Sequence, residues 1–239
     1  MRYSTWVACG VGVWFHVGTL IGSIVVPCAA GAQADGASAR QPATFRIIPG
    51  ASQASYAVNE VFIDENNRLF TAVGATPAVS GEILVHLTRP ALSGIREIVV
   101  DLRQLTSDSE RRDRALRERF LESRRYPYSR LAAAALIGLP SAFTPGQPFP
   151  FRLEGDLEVR GATRRTHWRG EAALARDTLR GRATTQVAMT DFGIEVPRFL
   201  WLRVADSVKV EIQFVATKLA SPQSVPPTRD QPSARGGSR

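Results

Sequence analysis

Between residues 149 and 160 the chain changes character at every step. Phe149, Phe151, Leu153, Gly155, Leu157 and Val159 take the odd positions, and Pro150, Arg152, Glu154, Asp156, Glu158 and Arg160 the even ones. Successive side chains of an extended strand point to opposite faces, whereas a helix would spread this pattern around its whole circumference. The stretch is therefore a strand with one apolar face, and such a face must be covered by another layer or by closure of the sheet on itself. The same period recurs along the chain. Tyr56, Val58 and Phe62 share a face in 55–62, Ile83, Val85 and Leu87 in 79–87, and Ile98, Val100 and Leu102 in 95–103. Later, Thr166, Trp168, Gly170 and Ala172 align in 163–174, Gly181, Ala183, Val187 and Met189 in 179–189, and Val208, Val210, Ile212, Phe214 and Ala216 in 207–218. Short apolar runs at 45–48 and 69–73 and an alanine-rich run in 130–139 extend the set. Roughly eight sequential strands separated by short turns predict an all-β protein that closes into an antiparallel barrel and so leaves no exposed edge.

One helical segment interrupts the strands. Residues 107–131, SDSERRDRALRERFLESRRYPYSRL, run without Gly or Pro until Tyr126-Pro127. Ser107 followed by Glu110 has the form of a capping box, in which hydroxyl and carboxylate each satisfy an early backbone N–H. The residue before a proline is pushed out of the helical region, so the expected helix spans 107–122 and stops by Tyr126. Its apolar stripe is thin: Ala115, Leu116, Phe120 and Leu121, against seven arginines and four acids between Glu110 and Arg125. A helix this polar cannot lie in a core. It is either a solvated connector or a lid over the mouth of a barrel.

At the N-terminus, Arg2 precedes an apolar run from Trp6 through Val26, and Ala32-Gln33-Ala34 closes it. This is the order of a cleaved secretory signal, 1–34, with a retained membrane anchor as the alternative. Residues 35–43 read as a flexible leader, 44–218 as the barrel domain, and the Pro-, Ser-, Gly- and Arg-rich 219–239 as a disordered tail. Both cysteines, Cys9 and Cys28, precede the cleavage site, so the mature chain has neither disulfide nor thiol chemistry. The expected location is the periplasm or the exterior. A net charge of +8 raises the question of nucleic acid, but all but two of the 30 basic residues are arginines spread along the chain, which favours no nucleic-acid stripe. A transient contact with a membrane surface remains within its reach, and the oligomeric state is open, a dimer included.

For catalysis the sequence offers little. His86 and His167 fall in separate strands on polar faces and read as solvated. No nucleophile elbow, zinc-protease helix or phosphate loop is present. Asp101, Arg112 and Asp113 are the one group an enzyme could use, although interleaved arginines make charge pairing the simpler account. No cofactor or metal is expected. The inward-facing Gly155, Gly170, Gly181, Ala172 and Ala183 instead suggest room inside the barrel for a ligand, since a barrel of about eight strands either fills with side chains or encloses one small molecule. Glycines that merely ease bends are the competing explanation, and a packed barrel serving as a structural or interaction module is the competing function.

Several of these residues together resemble a known family. Arg112-Asp113, Leu116, Phe120 and Tyr126-Pro127 are followed by Gly155-x-Leu157-x-Val159-x-Gly161-x-Thr163, then by Asp191-Phe192-Gly193-Ile194 and a last strand beginning near Asp206. In this order they are similar to the YceI-like, polyisoprenoid-binding family, from about residue 44 to residue 218. The resemblance implies a lipocalin-like extended barrel, capped by a helix, that holds a long isoprenoid lipid or isoprenoid quinone and performs no catalysis. Leu121 and Leu131 stand where the family often has aromatic residues. On that reading Leu116 and Phe120, four apart on the helix, point together into the mouth. Phe192, Phe199 and Trp201 form an aromatic loop that closes over the same opening, and Phe151, Leu153, Val187, Val210 and Ile212 make the walls.

Overall fold

The structure, a computed structural model, describes residues 41–63 and 67–220. The expected signal at 1–34, most of the expected leader and nearly all of the expected tail lie outside the described residues. In chain order the elements are β1 (Ala43–Ile47), β2 (Gln53–Phe62), β3 (Leu69–Thr76), β4 (Val79–Val85), β5 (Gly94–Asp101), β6 (Thr106–Ser107), α1 (Glu110–Ala115), β7 (Tyr128–Ile137), β8 (Pro148–Val159), β9 (Ala162–Ala175), β10 (Thr178–Ala188), β11 (Arg198–Phe199) and β12 (Leu202–Lys218).

Eight strands form a closed ring in the order β1-β4-β5-β7-β8-β9-β10-β12, with β12 pairing back onto β1. Every pairing is antiparallel, as short turns between sequential strands require. The alternation in 149–160 becomes β8, whose odd residues Phe151, Leu153, Gly155 and Leu157 are buried and whose even residues face outward. At the long strand β12 the ring is extended. Its last residues pair with β1, while residues 202–213 pair with β2, which continues β1 past a break at Pro49-Gly50. Ser52 bridges that break: its buried hydroxyl accepts from the Val215 N–H at 3.0 Å and donates to the Val215 carbonyl at 3.3 Å, in place of ladder bonds the turn interrupts. β3 then pairs with β2 and, at Gly74 and Ala75, with β6. This taller end is completed by α1.

The helix begins later than its sequence suggests. Ser109 is the cap, its hydroxyl accepting from the Arg112 N–H at 3.4 Å. Ser107 is committed elsewhere, since its backbone pairs with Gly74 in the sheet and its hydroxyl donates to Asp113 at 2.6 Å. After Ala115 the helix opens into one wider turn, Leu116–Phe120, where the Leu121 N–H reaches the Leu116 carbonyl at 2.8 Å. The expected span 107–122 contracts to 110–120. His86 is a second correction. β4 ends at Val85, so the period-2 pattern no longer governs the next side chain, and His86 is 3% exposed, its Nδ1 accepting from the Arg89 N–H at 3.1 Å. The expected solvated position holds for His167 only.

Candidate ligand-binding cavity

Between α1 and the barrel interior lies a cavity of about 570 Å³. The wider turn at Leu116–Phe120 shapes its cap. Leu116 and Phe120 both line the void, as does Ala115, and Phe120 also packs against the buried core. Arg111 and Arg119 from the same helix stand at the rim with exposed side chains. Across from the helix the wall is built by alternate residues of β2, β8, β10 and β12: Val58, Leu157, Val187, Val210 and Ile212 among them. The loop after β10 adds Phe192 and Ile194, both buried, because Gly193 takes a left-handed conformation (φ 67°) that folds the chain back under the barrel end.

Of the residues expected at the site, Leu116, Phe120, Val187, Phe192, Trp201, Val210 and Ile212 line this one cavity. Phe151 and Leu153 do not. They line a separate pocket of about 40 Å³ at the opposite end of the barrel. The inward glycines explain why that end is small. A Cβ on Gly170 would fall 2.5 Å from Phe151 Cζ, and one on Gly181 would fall 2.7 Å from Phe214 Cζ. These glycines are occupied by neighbouring rings rather than leaving space, which corrects the reading of them as cavity formers. The backbone of Phe199 pairs with Leu202, and the expected role of its side chain lies outside what the structure describes.

A polar cluster at the helix end of the cavity was not anticipated. Glu60 is buried on the inner face of β2, and Arg112 faces it at 3.8 Å while also pairing with Asp108 and lying over the Phe70 ring. Burial raises the Glu60 carboxyl above the usual glutamate range, against the pull of Arg112. Tyr56 packs into the space that Gly74 leaves open, 2.4 Å from where a Cβ would stand. Its hydroxyl is the one buried side-chain oxygen among the described residues without a hydrogen-bond partner, and burial pushes its pKa up to about 12. A carboxylate at an inward position of the alternating stretch 55–62 was the available signal for this cluster. It breaks an otherwise apolar face.

The group Asp101, Arg112 and Asp113 is divided: Asp101 is held by Arg103, while Arg112 and Asp113 meet at the Ser107 hydroxyl. Asp101 accepts from the Arg103 backbone and guanidinium at 2.8 to 3.0 Å, which lowers its pKa. Arg112 pairs with Asp108 and Glu60 and also donates to the Ser107 hydroxyl at 3.4 Å, which in turn donates to buried Asp113. Among the described residues no group of three or more His, Cys, Asp or Glu side chains is placed to hold a metal ion.

A closed antiparallel ring of eight strands wrapped around an apolar void, with a helix over one end, defines a cavity-bearing β-barrel suited to an enclosed ligand. The chain belongs to the family of the YceI-like domain, whose model matches residues 45–216. Its structure is similar to that of a polyisoprenoid binding domain from Saccharophagus degradans implicated in plant cell wall breakdown, at 11% identity and a TM-score of 0.54 over 73% of this chain and 98% of that one. It is likewise similar to BcnA of Burkholderia cenocepacia, at 15% identity and a TM-score of 0.55 over 72% of this chain and 99% of that one. No curated protein matches the sequence. At such identities the likeness speaks for the fold, an extended barrel of the YceI type.

Proposed function

We propose that the protein is an exported carrier or reservoir that encloses one long isoprenoid lipid, a polyisoprenoid or an isoprenoid quinone, and does no chemistry on it. The cavity carries this reading. A void of about 570 Å³ walled by strand residues such as Val58, Val187 and Val210 gains roughly 25 cal/mol for each Å² of hydrocarbon removed from water, while offering a long tail few polar groups to desolvate. The polar groups gather at one end, around Glu60 and Arg112, which suits an amphiphile with a single head. A barrel packed solid for a structural role has no use for a void of this size. The family relationship and the described binding domain from Saccharophagus degradans support the same ligand class. The signal-like segment at 1–34 supports export.

Loading from a membrane fits the rim of the cavity. Trp201 lines the void yet is 55% exposed, and its neighbour Leu200 is 91% exposed. The Trp201 carbonyl accepts from Ile63, which brings this turn beside exposed Ile63 and Leu69 at the β2–β3 end. Tryptophan and aliphatic side chains gathered around a lipid cavity suit the interfacial layer of a bilayer. Titration of lipid-stripped protein with an isoprenoid quinone, followed by quenching of tryptophan fluorescence, should give a saturable one-to-one response, because Trp168 and Trp201 both line the void. Absence of quenching at any concentration below quinone aggregation overturns the carrier reading.

A further inference from the structure

We propose that Trp168 is the stop that sets the length of tail this barrel accepts. The proposal rests on the carrier reading and adds to it a specificity-determining residue. Trp168 lines both the large cavity and the small far pocket, and so do Ile98, Leu131 and Ile212. These residues come from β9, β5, β7 and β12, so they form a layer across the barrel between the two voids. All are at most 4% exposed, and Trp168 is the largest of the fully buried side chains.

The indole is fixed in place. Its Nε1–H donates to Thr166 Oγ1 at 2.9 Å, and that hydroxyl donates to the Gly155 carbonyl at 3.2 Å on the adjacent strand. Swinging the ring aside would strand a buried N–H, a cost that a passing hydrocarbon cannot repay with any polar contact. Beyond the ring the barrel remains a hydrocarbon environment, lined by Leu153, Ala172, Ala183 and Phe214. The far pocket holds about 40 Å³, well below the ~150 Å³ of an apolar cavity that takes up a benzene-sized molecule, so it has no room for a further isoprene unit while the ring stands. The path ends at Trp168.

The test is a length series. Straight-chain isoprenols, lengthened one unit at a time, are bound to the lipid-stripped full chain in competition with a fluorescent isoprenoid probe. For the unmodified protein, affinity should rise about tenfold or more per added unit while the unit is buried, then stop rising. Trp168→Ala should move the break to tails at least one unit longer. Trp168→Phe, which keeps a ring in the layer and folds more readily, should move it less. Equal break points in all three proteins, or no break in the unmodified one, overturn the stop while leaving the carrier reading intact. Failure of the unmodified protein to bind any isoprenol overturns both.

Discussion

Arg160 and Glu122 join two elements that the chain keeps far apart: the turn after β8 and the residue just past the helix. Nε and Nη2 of the guanidinium donate to the Glu122 carboxylate, and the third nitrogen, Nη1, donates to the carbonyl of Gly193. One side chain therefore ties the end of the cap to the loop that carries Phe192 and Ile194 into the cavity. Glu122 itself has a left-handed backbone (φ 47°), a conformation that a non-glycine residue holds only when its surroundings impose it.

Replacing Arg160 with Ala frees both sides of the cap at once. Loss of a partly buried, charge-assisted bond together with its backbone contact is expected to cost about 1–2 kcal/mol of stability. Lipid should also leave faster. Thermal melting and dissociation rates of a bound isoprenoid quinone check the two effects; a rate equal to that of the unmodified protein would show that the tie does not hold the cap.

Phe120 lines the cavity from the helix and is only half buried, so a polar replacement there tests the cap without emptying the core. Phe120→Asp puts a charge where the lipid must desolvate it, and affinity for an isoprenoid quinone should drop about 10- to 100-fold. The far-ultraviolet spectrum should stay that of a β-protein. Unchanged retention would return α1 to the role of a connector.

Glu60 gives the stability a definite pH dependence. Its carboxyl is raised above the ordinary 4.5, chiefly by burial, so the folded state holds the proton more tightly than the unfolded one. The contribution is fully present below the ordinary glutamate range and is lost as pH rises through the raised folded value. Glu60→Gln mimics the protonated form. Urea midpoints across pH should therefore show the variant level with the native protein in acid and more stable above that window; a variant less stable at neutral pH would mean that the Arg112 pairing outweighs burial.

How much of this was legible in the sequence depends on which coordinate is asked for. Strand alternation tells which face a residue occupies, and it placed Phe151, Leu153, Val187 and Val210 correctly on the inner face. It says nothing of height along the barrel, and height separates Phe151 and Leu153 from the cavity that Val187 and Val210 line. Inward glycines were ambiguous for a similar reason. Whether Gly170 leaves a void or receives a ring depends on Phe151 of the neighbouring strand, a relation that pairing register sets. The helix cap was misplaced by two residues because Ser107, followed by Glu110, has the local form of a capping box that Ser109, followed by Arg112, lacks; the pairing of Ser107 with Gly74 in the sheet overrides that local signal. Leu116 and Phe120 were readable, since little else explains aromatic and aliphatic residues on so polar a helix.

Leu200 and Trp201 form the most exposed apolar turn beside the cavity. Exchanging both for Ser should lower the fraction of protein that co-sediments with phospholipid vesicles by about tenfold and slow quinone transfer from vesicle to protein, because burial of these side chains in the interface is lost. Affinity for quinone in detergent should change far less for the Leu200 substitution, which does not touch the cavity. Equal sedimentation of variant and native protein would assign the turn no part in loading.

The most direct measurement is of what the protein carries. Purified from its native host under conditions that keep the barrel folded, then extracted with organic solvent, the protein should release isoprenoid lipid in amounts approaching one molecule per chain by mass spectrometry, and the Phe120→Asp variant much less. Extracts without isoprenoid, or isoprenoid in equal trace from both proteins, would contradict the assignment of the cavity as a lipid site.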